Sequence, residues 1–175
     1  NTLRSALAEA AGLTSYERNG DIVSFASYAP LLSRRGHTQW TPDMIYFDIS
    51  EVYPSVNYYV QKLFGTNSGD IALDFELKTQ ARQLTASVVR DSESGNTIIK
   101  IVNGSDTPEE LEINLAGFPS NVPMDAVKIV LTGPNANVEN EFGKAPAVVP
   151  VETKETVKGS FKYTVPANSL TIYRM

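Results

Sequence analysis

The hydrophobic pattern of this 175-residue chain changes character once, near residue 66. Before that point apolar residues recur every three or four positions, as they do along one face of a helix. After it they alternate in short runs separated by glycine, proline and asparagine, as in strands joined by tight turns. We therefore expect a mainly β fold with N-terminal helices: an antiparallel β-sandwich over residues 67–175, preceded by α/β elements over residues 1–66.

Two helices are predicted at the start of the chain. Over residues 2–18 the apolar positions share one face, and the Asn19-Gly20 pair ends the pattern. Residues 21–29 fit a second, shorter helix that Pro30 would stop. A strand over residues 22–25 explains the same apolar residues, because short apolar runs do not separate the two structures.

A strand and a third helix are predicted next. Residues 33–36 are a polar loop, and residues 44–47 form a continuous apolar run of the kind found in a strand buried on both faces. Residues 52–64 are predicted to be helical, with Pro54 in the first turn, where a missing N–H costs nothing. A helix, a buried strand and a helix are typical of the edge of an α/β domain.

The rest of the chain predicts strands. Runs rich in β-branched residues, or with strict alternation, cover residues 84–90, 97–102, 111–115, 127–131, 161–165 and 170–173. Residues 133–157 hold three prolines and are predicted to be a loop between strands. The segment from residue 65 to 70 is the predicted domain boundary.

Composition excludes several classes of function. The chain has no cysteine and one histidine, which excludes disulfides, a thiol nucleophile and a histidine-rich metal site. A net charge of -5 is a poor match for nucleic acid or an anionic membrane, and no apolar run approaches the length of a membrane span. The acidic residues 70, 74 and 76 lack the spacing of a calcium loop. We expect no metal, no cofactor, no nucleic-acid partner and no membrane partner.

The residues alone suggest few candidates for a catalytic or binding site. Glu110 and Glu112 would share the wet face of a strand, so a solvated role is favoured over a glycosidase carboxylate pair. His37 stands in a polar loop without a nucleophile motif. Trp40 could stack on a sugar ring or fill a core, and composition alone favours the core.

Two composite motifs are more specific than these single residues. The first joins residues 6–11, 16–19 and 26–31, with the sequences ALAEAA, YERN and ASYAPL. The second joins residues 40–48 and 57–64, with the sequences WTPDMIYFD and NYYVQKLF. In order and spacing, both resemble the α-L-arabinofuranosidases of glycoside hydrolase family 51. The resemblance carries motifs over residues 6–64; residues 70–175 match in architecture only.

The resemblance implies a fold and an activity. Enzymes of this family have a (β/α)8 barrel followed by a β-sandwich, and they release terminal α-L-arabinofuranosyl groups with retention of configuration. Residues 44–47 would be the eighth barrel strand and residues 52–64 its closing helix. Both catalytic Glu residues would precede Asn1, so we expect a piece of a longer chain that has no catalytic carboxylate and is inactive alone.

The resemblance also implies site residues and partners. Trp40 would approach the sugar pocket of the parent enzyme, with Asp43 and Asp48 as further candidates for substrate binding. The expected partners are the parent's catalytic barrel and, through it, arabinan or arabinoxylan oligosaccharides; a homo-oligomer is left open. The compartment is left open too, with a periplasmic or secreted location favoured over a cytoplasmic one.

Two other classes of function stand beside this one. A carbohydrate-binding module would need exposed aromatic rings on one face of the sandwich, and Phe161, Tyr163 and Tyr173 are the obvious supply. Alternation assigns Phe161 and Tyr163 to the core, so this reading ranks second. A structural interaction domain without sugar chemistry is the third.

Overall fold

The computed structural model describes residues 1–175 and contains two helices and eleven strands. The helices are α1 Leu3–Arg18 and α2 Val56–Thr66. The strands are, in chain order, β1 Leu32–Arg34, β2 Ile45–Phe47, β3 Val52–Pro54, β4 Ile71–Ala72, β5 Leu84–Arg90, β6 Thr97–Asn103, β7 Glu109–Asn114, β8 Pro123–Thr132, β9 Val151–Lys158, β10 Ser160–Val165 and β11 Ser169–Arg174. Neither helix has the length and hydropathy that crossing a bilayer requires.

Helix α1 confirms the prediction for residues 2–18. Leu3 and Leu7 lie one turn apart and are fully or almost fully buried, as the periodicity requires. The Thr2 side chain caps the helix, because its Oγ1 accepts a hydrogen bond of 3.2 Å from the Ser5 N–H. At the other end the Asn19 N–H bonds to the Tyr16 carbonyl oxygen and closes the last turn.

Residues 21–29 form neither the predicted helix nor the alternative strand. From residue 24 to 29 no backbone group makes a hydrogen bond to another backbone group. Ile22 and Phe25, the apolar residues on which the prediction rested, are 77% and 83% exposed. Because no surface covers these side chains, the segment gains nothing from regular structure and reaches β1 as an irregular chain.

A small three-stranded sheet follows, in the order β1-β2-β3. Strand β2 confirms the predicted strand, but it is half-buried and not enclosed on both faces. Strand β1 pairs with it in parallel where a polar loop was predicted for residues 33–36. Strand β3 pairs antiparallel where the helical prediction began, so that prediction was wrong for residues 52–54. The helix starts later because the Ser55 side chain caps it, accepting a hydrogen bond from the Tyr58 N–H.

The second half of the chain builds a six-stranded antiparallel sheet in the order β4-β5-β6-β11-β8-β9. Strands β7 and β10 form a separate two-stranded ribbon. All the strands predicted from β-branched runs and alternation are present. Strand β9 begins within the segment 133–157, where only a loop was predicted. Its residues are mostly polar and exposed, so the sequence pattern did not reveal a strand. The mainly β fold with antiparallel sheets and N-terminal helices is confirmed.

The six-stranded sheet is covered on both faces, so the molecule has three layers. Both helices pack on one face in a cluster of 16 buried residues that includes Ile98 and Val102 of β6. The ribbon covers the other face in a cluster of 8 buried residues that includes Ile99 and Ile101 of the same strand. Because the side chains of β6 alternate between the two faces of the sheet, this one strand contributes residues to two separate cores. The division of the chain into domains at residue 66 stays a prediction, although the helices share a core with the sheet.

The connection between β8 and β9 is fixed by specific contacts. The Asn140 side chain bonds to both backbone groups of Val148, donating to its carbonyl oxygen at 2.9 Å and accepting from its N–H at 2.8 Å. Val148 is itself fully buried against the helices. Two carbonyl oxygens of the same connection accept the N–H groups of Leu3 and Arg4 at the start of α1. We name residues 133–150 the excursion loop.

Candidate functional site

The loop of residues 36–43, which joins β1 to β2, carries Trp40 and Asp43 and is organised by the Asp43 side chain. Asp43 is buried, and its Oδ2 accepts a hydrogen bond of 2.8 Å from the Thr38 hydroxyl. The Trp40 N–H donates in turn to Thr38 Oγ1 at 3.3 Å. The Asp43 N–H donates to the Tyr46 hydroxyl oxygen at 2.8 Å. We name these residues the Trp40 loop; a buried carboxylate holds its backbone in place.

The Trp40 side chain points away from the protein. It is 67% exposed, so the prediction from composition that it fills a core was wrong. The physical reason is that polar bonds anchor the loop backbone, and no apolar side chain has to pack beneath it. An indole ring held by an ordered backbone and open to solvent is suited to stacking on a sugar ring.

Asp48 lies at the far end of β2, five residues after Asp43 and therefore on the order of 16 Å away along an extended chain. Its Oδ1 accepts hydrogen bonds of 2.8 Å from the Ser50 N–H and 2.9 Å from the Glu51 N–H. These bonds, with the Arg35 guanidinium 3.8 Å away, lower the pKa of Asp48. The structure thus groups Trp40 with Asp43 and places Asp48 apart, closing the turn into β3.

An aromatic cluster supports the Trp40 loop from below. The Tyr53 ring stacks on Phe142 with centroids 4.9 Å apart, and its other contact is Tyr46 at 5.9 Å. The Arg35 guanidinium lies 4.8 Å from the centre of the Phe142 ring. Burial, reinforced by the nearby carboxylates of Glu139 and Glu141, raises the pKa of Tyr53 to about 12. The hydroxyl of Tyr53 is therefore neutral at ordinary pH.

Sequence reasoning missed this cluster for two reasons. It placed Tyr53 in a helix and Phe142 in a loop without a role, and the two residues are 89 positions apart in the sequence. The available signal was Phe142 itself, a single aromatic residue in a segment rich in proline, glycine and polar residues. An aromatic residue in such a segment indicates an anchor onto another element.

The two glutamates of α1 are engaged in structural contacts. The Glu9 carboxylate accepts hydrogen bonds from the side-chain amides of Asn57 and Gln61 on α2, and burial raises its pKa. Glu17 lies 2.6 Å from the Lys100 ammonium and accepts a hydrogen bond of 2.5 Å from Ser87. Eight residues of helix separate them by about 12 Å along the axis, beyond the 5–5.5 Å of a retaining glycosidase pair.

Three further carboxylates lie on the surface. Glu110 and Glu112 are exposed on the same face of β7, as predicted. Glu141 is exposed and pairs with Lys144 at 2.6 Å, while Asn140 beside it is buried by its bonds to the excursion loop. No group of three or more histidine or carboxylate side chains is placed to hold a metal ion. His37 is exposed in the Trp40 loop.

The aromatic residues proposed for a carbohydrate-binding face belong to a core. Phe161 and Tyr163 meet the buried Tyr173 edge to face, with ring centroids 5.4 Å and 5.3 Å apart. Their side chains fill the space between the ribbon and the six-stranded sheet. The prediction that alternation turns Phe161 and Tyr163 inward is confirmed, and these three rings form no flat platform for a sugar.

Comparisons with known proteins agree on one family. A family model described as the α-L-arabinofuranosidase C-terminal domain matches residues 1–169. Alpha-L-arabinofuranosidase 1 of Arabidopsis thaliana is 37% identical over 156 residues, which is 87% of this chain and 23% of that protein. Alpha-L-arabinofuranosidase 2 of the same plant is 31% identical over 175 residues, 98% of this chain and 26% of that protein. The chain thus spans about a quarter of the length of these curated relatives.

Solved structures give the same result. An arabinose-bound family 51 α-L-arabinofuranosidase superposes with a TM-score of 0.90 at 39% identity, over 99% of this chain and 27% of that one. The arabinose complex of an α-L-arabinofuranosidase from Thermotoga maritima superposes with a TM-score of 0.88 over 100% of this chain and 38% of that one. At 16% identity the second likeness shows the fold alone.

Proposed function

Because this chain belongs to the α-L-arabinofuranosidase C-terminal domain family, we propose that it serves a longer enzyme that releases terminal α-L-arabinofuranosyl groups from arabinan or arabinoxylan. The remainder of that enzyme supplies the catalytic barrel and both catalytic Glu residues. One Glu attacks the anomeric carbon and the other acts as acid and then as base, so that configuration is retained. The 175-residue chain itself has a structural role.

One observation carries this proposal: the match over 99% of the chain to a structure solved with arabinose, at 39% identity. The state of Glu9 and Glu17 supports the structural role. Each carboxylate is held by neighbours of its own fold, and the two are too far apart to cooperate in a glycosidic cleavage.

The chain contributes to the substrate site through the Trp40 loop. Trp40 stacks on the sugar, Asp43 fixes the backbone that presents the indole, and Asp48 closes the turn that ends the neighbouring strand. Support comes from the exposed indole above an anchored backbone. Carbohydrate recognition favours such a ring, because one apolar face of a sugar covers it while the hydroxyl groups stay solvated.

The first test addresses activity. The purified 175-residue chain and the full-length parent enzyme are each assayed with a nitrophenyl α-L-arabinofuranoside. We expect release of arabinose by the parent only. Release by the 175-residue chain above the uncatalysed rate would show that it carries its own catalytic carboxylates, and a parent inactive on this substrate would refute the assigned activity.

The second test addresses Trp40 in the parent enzyme. Trp40→Ala is expected to lower kcat/KM about tenfold or more, because a lost stacking contact of about 1.4 kcal/mol corresponds to that factor. The melting temperature should stay within the range of the control Phe118→Ala, an exposed aromatic in the loop between β7 and β8. Unchanged kinetics in Trp40→Ala would remove Trp40 from the site.

Location is the remaining part of the proposal. We place the parent enzyme in the periplasm or outside the cell. A relative from Streptomyces chartreusis, described as an extracellular exo-α-L-arabinofuranosidase, is 49% identical over 70 residues, 40% of this chain and 8% of that protein. Fractionation of cells that express the full-length gene checks this, and activity confined to the cytoplasm contradicts it.

A further inference from the structure

A continuous set of contacts joins the excursion loop to the Trp40 loop. It begins at Phe142, near the middle of the excursion loop. The bonds between Asn140 and Val148 close the loop around Phe142. Val148 anchors this closure in the core beneath the helices. Phe142 therefore stands on a rigid support that belongs to the β-rich part of the molecule.

The next contacts lead into the small sheet. Phe142 stacks on Tyr53 of β3 with an interplanar angle of 24°, and the Gly143 N–H donates to Glu51 at 3.3 Å. Tyr53 lies opposite Tyr46 of β2 in the antiparallel register, with ring centroids 5.9 Å apart. The position of the Tyr46 ring is thus set by a neighbour that Phe142 holds in place.

The last contacts reach the indole. The Tyr46 hydroxyl oxygen is the acceptor for the N–H of the buried Asp43, at 2.8 Å. Asp43 holds Thr38 through its carboxylate, and Thr38 accepts the Trp40 N–H. A buried N–H without an acceptor is costly, so a displaced Tyr46 ring would force the backbone at Asp43 to move. That movement would be passed directly to Trp40.

We propose that Phe142 and Tyr53 are positioning residues for substrate binding. They act through Tyr46 and Asp43 to hold the Trp40 indole in the orientation that receives an arabinofuranosyl ring. The β-rich part of the chain thereby sets the geometry of a sugar-contacting loop that it does not itself contain. This inference rests on the proposed function, because it takes Trp40 as a contact to the sugar.

The first experiment tests the coupling without any assay of activity. Trp40 is the sole tryptophan of the chain, so fluorescence excited at the red edge of the tryptophan absorption, where the eight tyrosines do not absorb, reports on this loop alone. Phe142→Ala is expected to lower the fluorescence anisotropy, because the indole of a loosened loop moves faster. Phe142→Tyr should restore the wild-type values, and Phe118→Ala should leave them unchanged.

A second variant guards against a simple folding defect. Tyr46→Phe keeps the ring in the cluster and removes only the oxygen that accepts the Asp43 N–H. It should produce the same fall in anisotropy while the far-UV circular dichroism stays that of the wild type. Wild-type anisotropy in both Phe142→Ala and Tyr46→Phe overturns the coupling, as does an equal fall in Phe118→Ala.

The second experiment uses the full-length enzyme and separates binding from chemistry. Phe142→Ala is expected to raise KM about fivefold to tenfold with kcat within about twofold, because the catalytic groups stay in place and only the binding contact is lost. If Trp40→Ala weakens catalysis but Phe142→Ala has wild-type kinetics, the positioning inference fails while the proposed function stands. If neither variant changes KM, the proposed role of Trp40 fails as well.

Discussion

At the scale of single residues, the Lys100 side chain shows how the helices are attached to the sheet. It has no exposed surface, and its ammonium lies 2.6 Å from Glu17 Oε1 and 5.2 Å from the centre of the Phe64 ring. Ser87, directly opposite Lys100 on β5, donates to the other oxygen of Glu17. Burial lowers the pKa of Lys100, and the Glu17 carboxylate opposes this shift. This ion pair therefore ties the end of α1 to β5 and β6 of the sheet.

Removing one partner of this pair should cost more than removing both. Lys100→Met leaves Glu17 next to an apolar side chain and is expected to lower the free energy of unfolding by about 3 kcal/mol. The double variant Lys100→Met/Glu17→Gln is expected to lose less, because no charge is left without its partner. Urea denaturation of the 175-residue chain measures both. Equal losses in the two variants would contradict an energetic coupling between Lys100 and Glu17.

The sequence predicted the strand that carries Lys100 but not what its side chain meets. Alternation along β6 puts Lys100 on the same side of the sheet as Ile98 and Val102. Its partner Glu17 is 83 residues away, and nothing in the local pattern pairs them. The same limit applies to Trp40, whose exposure depends on hydrogen bonds made by the loop backbone. Residue types show what a side chain can do, whereas long-range packing decides whether it does so.

At the scale of elements, helix α1 and the strands in the second half were predictable because each buries a face that its own period defines. Strand β3 was not, because Val52–Pro54 is too short to show a period, and the helical pattern of α2 extends into it. Strand β9 was not either, since five of its first six residues are polar and only pairing with β8 makes it a strand. Strands β3 and β9 form because a neighbouring strand pairs with them, and their own sequences do not show this.

Replacing two glycines by alanine should change the free energy of unfolding in opposite directions. Gly12 lies inside α1, and a Cβ there meets nothing within 4 Å, so Gly12→Ala should raise the free energy of unfolding by about 0.5–1 kcal/mol. A Cβ on Gly159, between β9 and β10, would lie 2.5 Å from the Pro119 carbonyl oxygen. Gly159→Ala should therefore lower the free energy of unfolding by about 1–3 kcal/mol. Urea denaturation checks both signs, and stabilisation by Gly159→Ala would show that the two connections are not in close contact.

At the scale of the whole molecule, both faces of the six-stranded sheet are covered, whereas one neighbouring segment is left uncovered. The six-stranded sheet is covered by helices on one face and by the ribbon on the other. Next to them, the segment with Ile22 and Phe25 forms no helix or strand, makes no backbone–backbone hydrogen bonds from residue 24 to 29, and exposes both apolar side chains. Because exposed apolar side chains beside unpaired backbone groups are typical of interaction surfaces, we expect this segment to contact another part of a longer protein.

The double variant Ile22→Ser/Phe25→Ser tests this. In the 175-residue chain both side chains are already in water, so the free energy of unfolding should change by no more than about 0.5 kcal/mol. In the full-length enzyme the same change should cost about 2–4 kcal/mol, because two apolar side chains would be withdrawn from a buried contact with the rest of the chain. Chemical denaturation of both proteins, each with and without the substitutions, gives the comparison.

A control outside this segment makes the comparison decisive. Phe118→Ser, in the loop between β7 and β8, should have the same effect in the short chain and in the full-length enzyme, since nothing in the fold indicates that Phe118 is covered. If Ile22→Ser/Phe25→Ser also has the same small effect in both proteins, the surface is not a contact with the catalytic part. If the short chain sediments as a dimer and the double variant as a monomer, the surface belongs to a second copy of this chain.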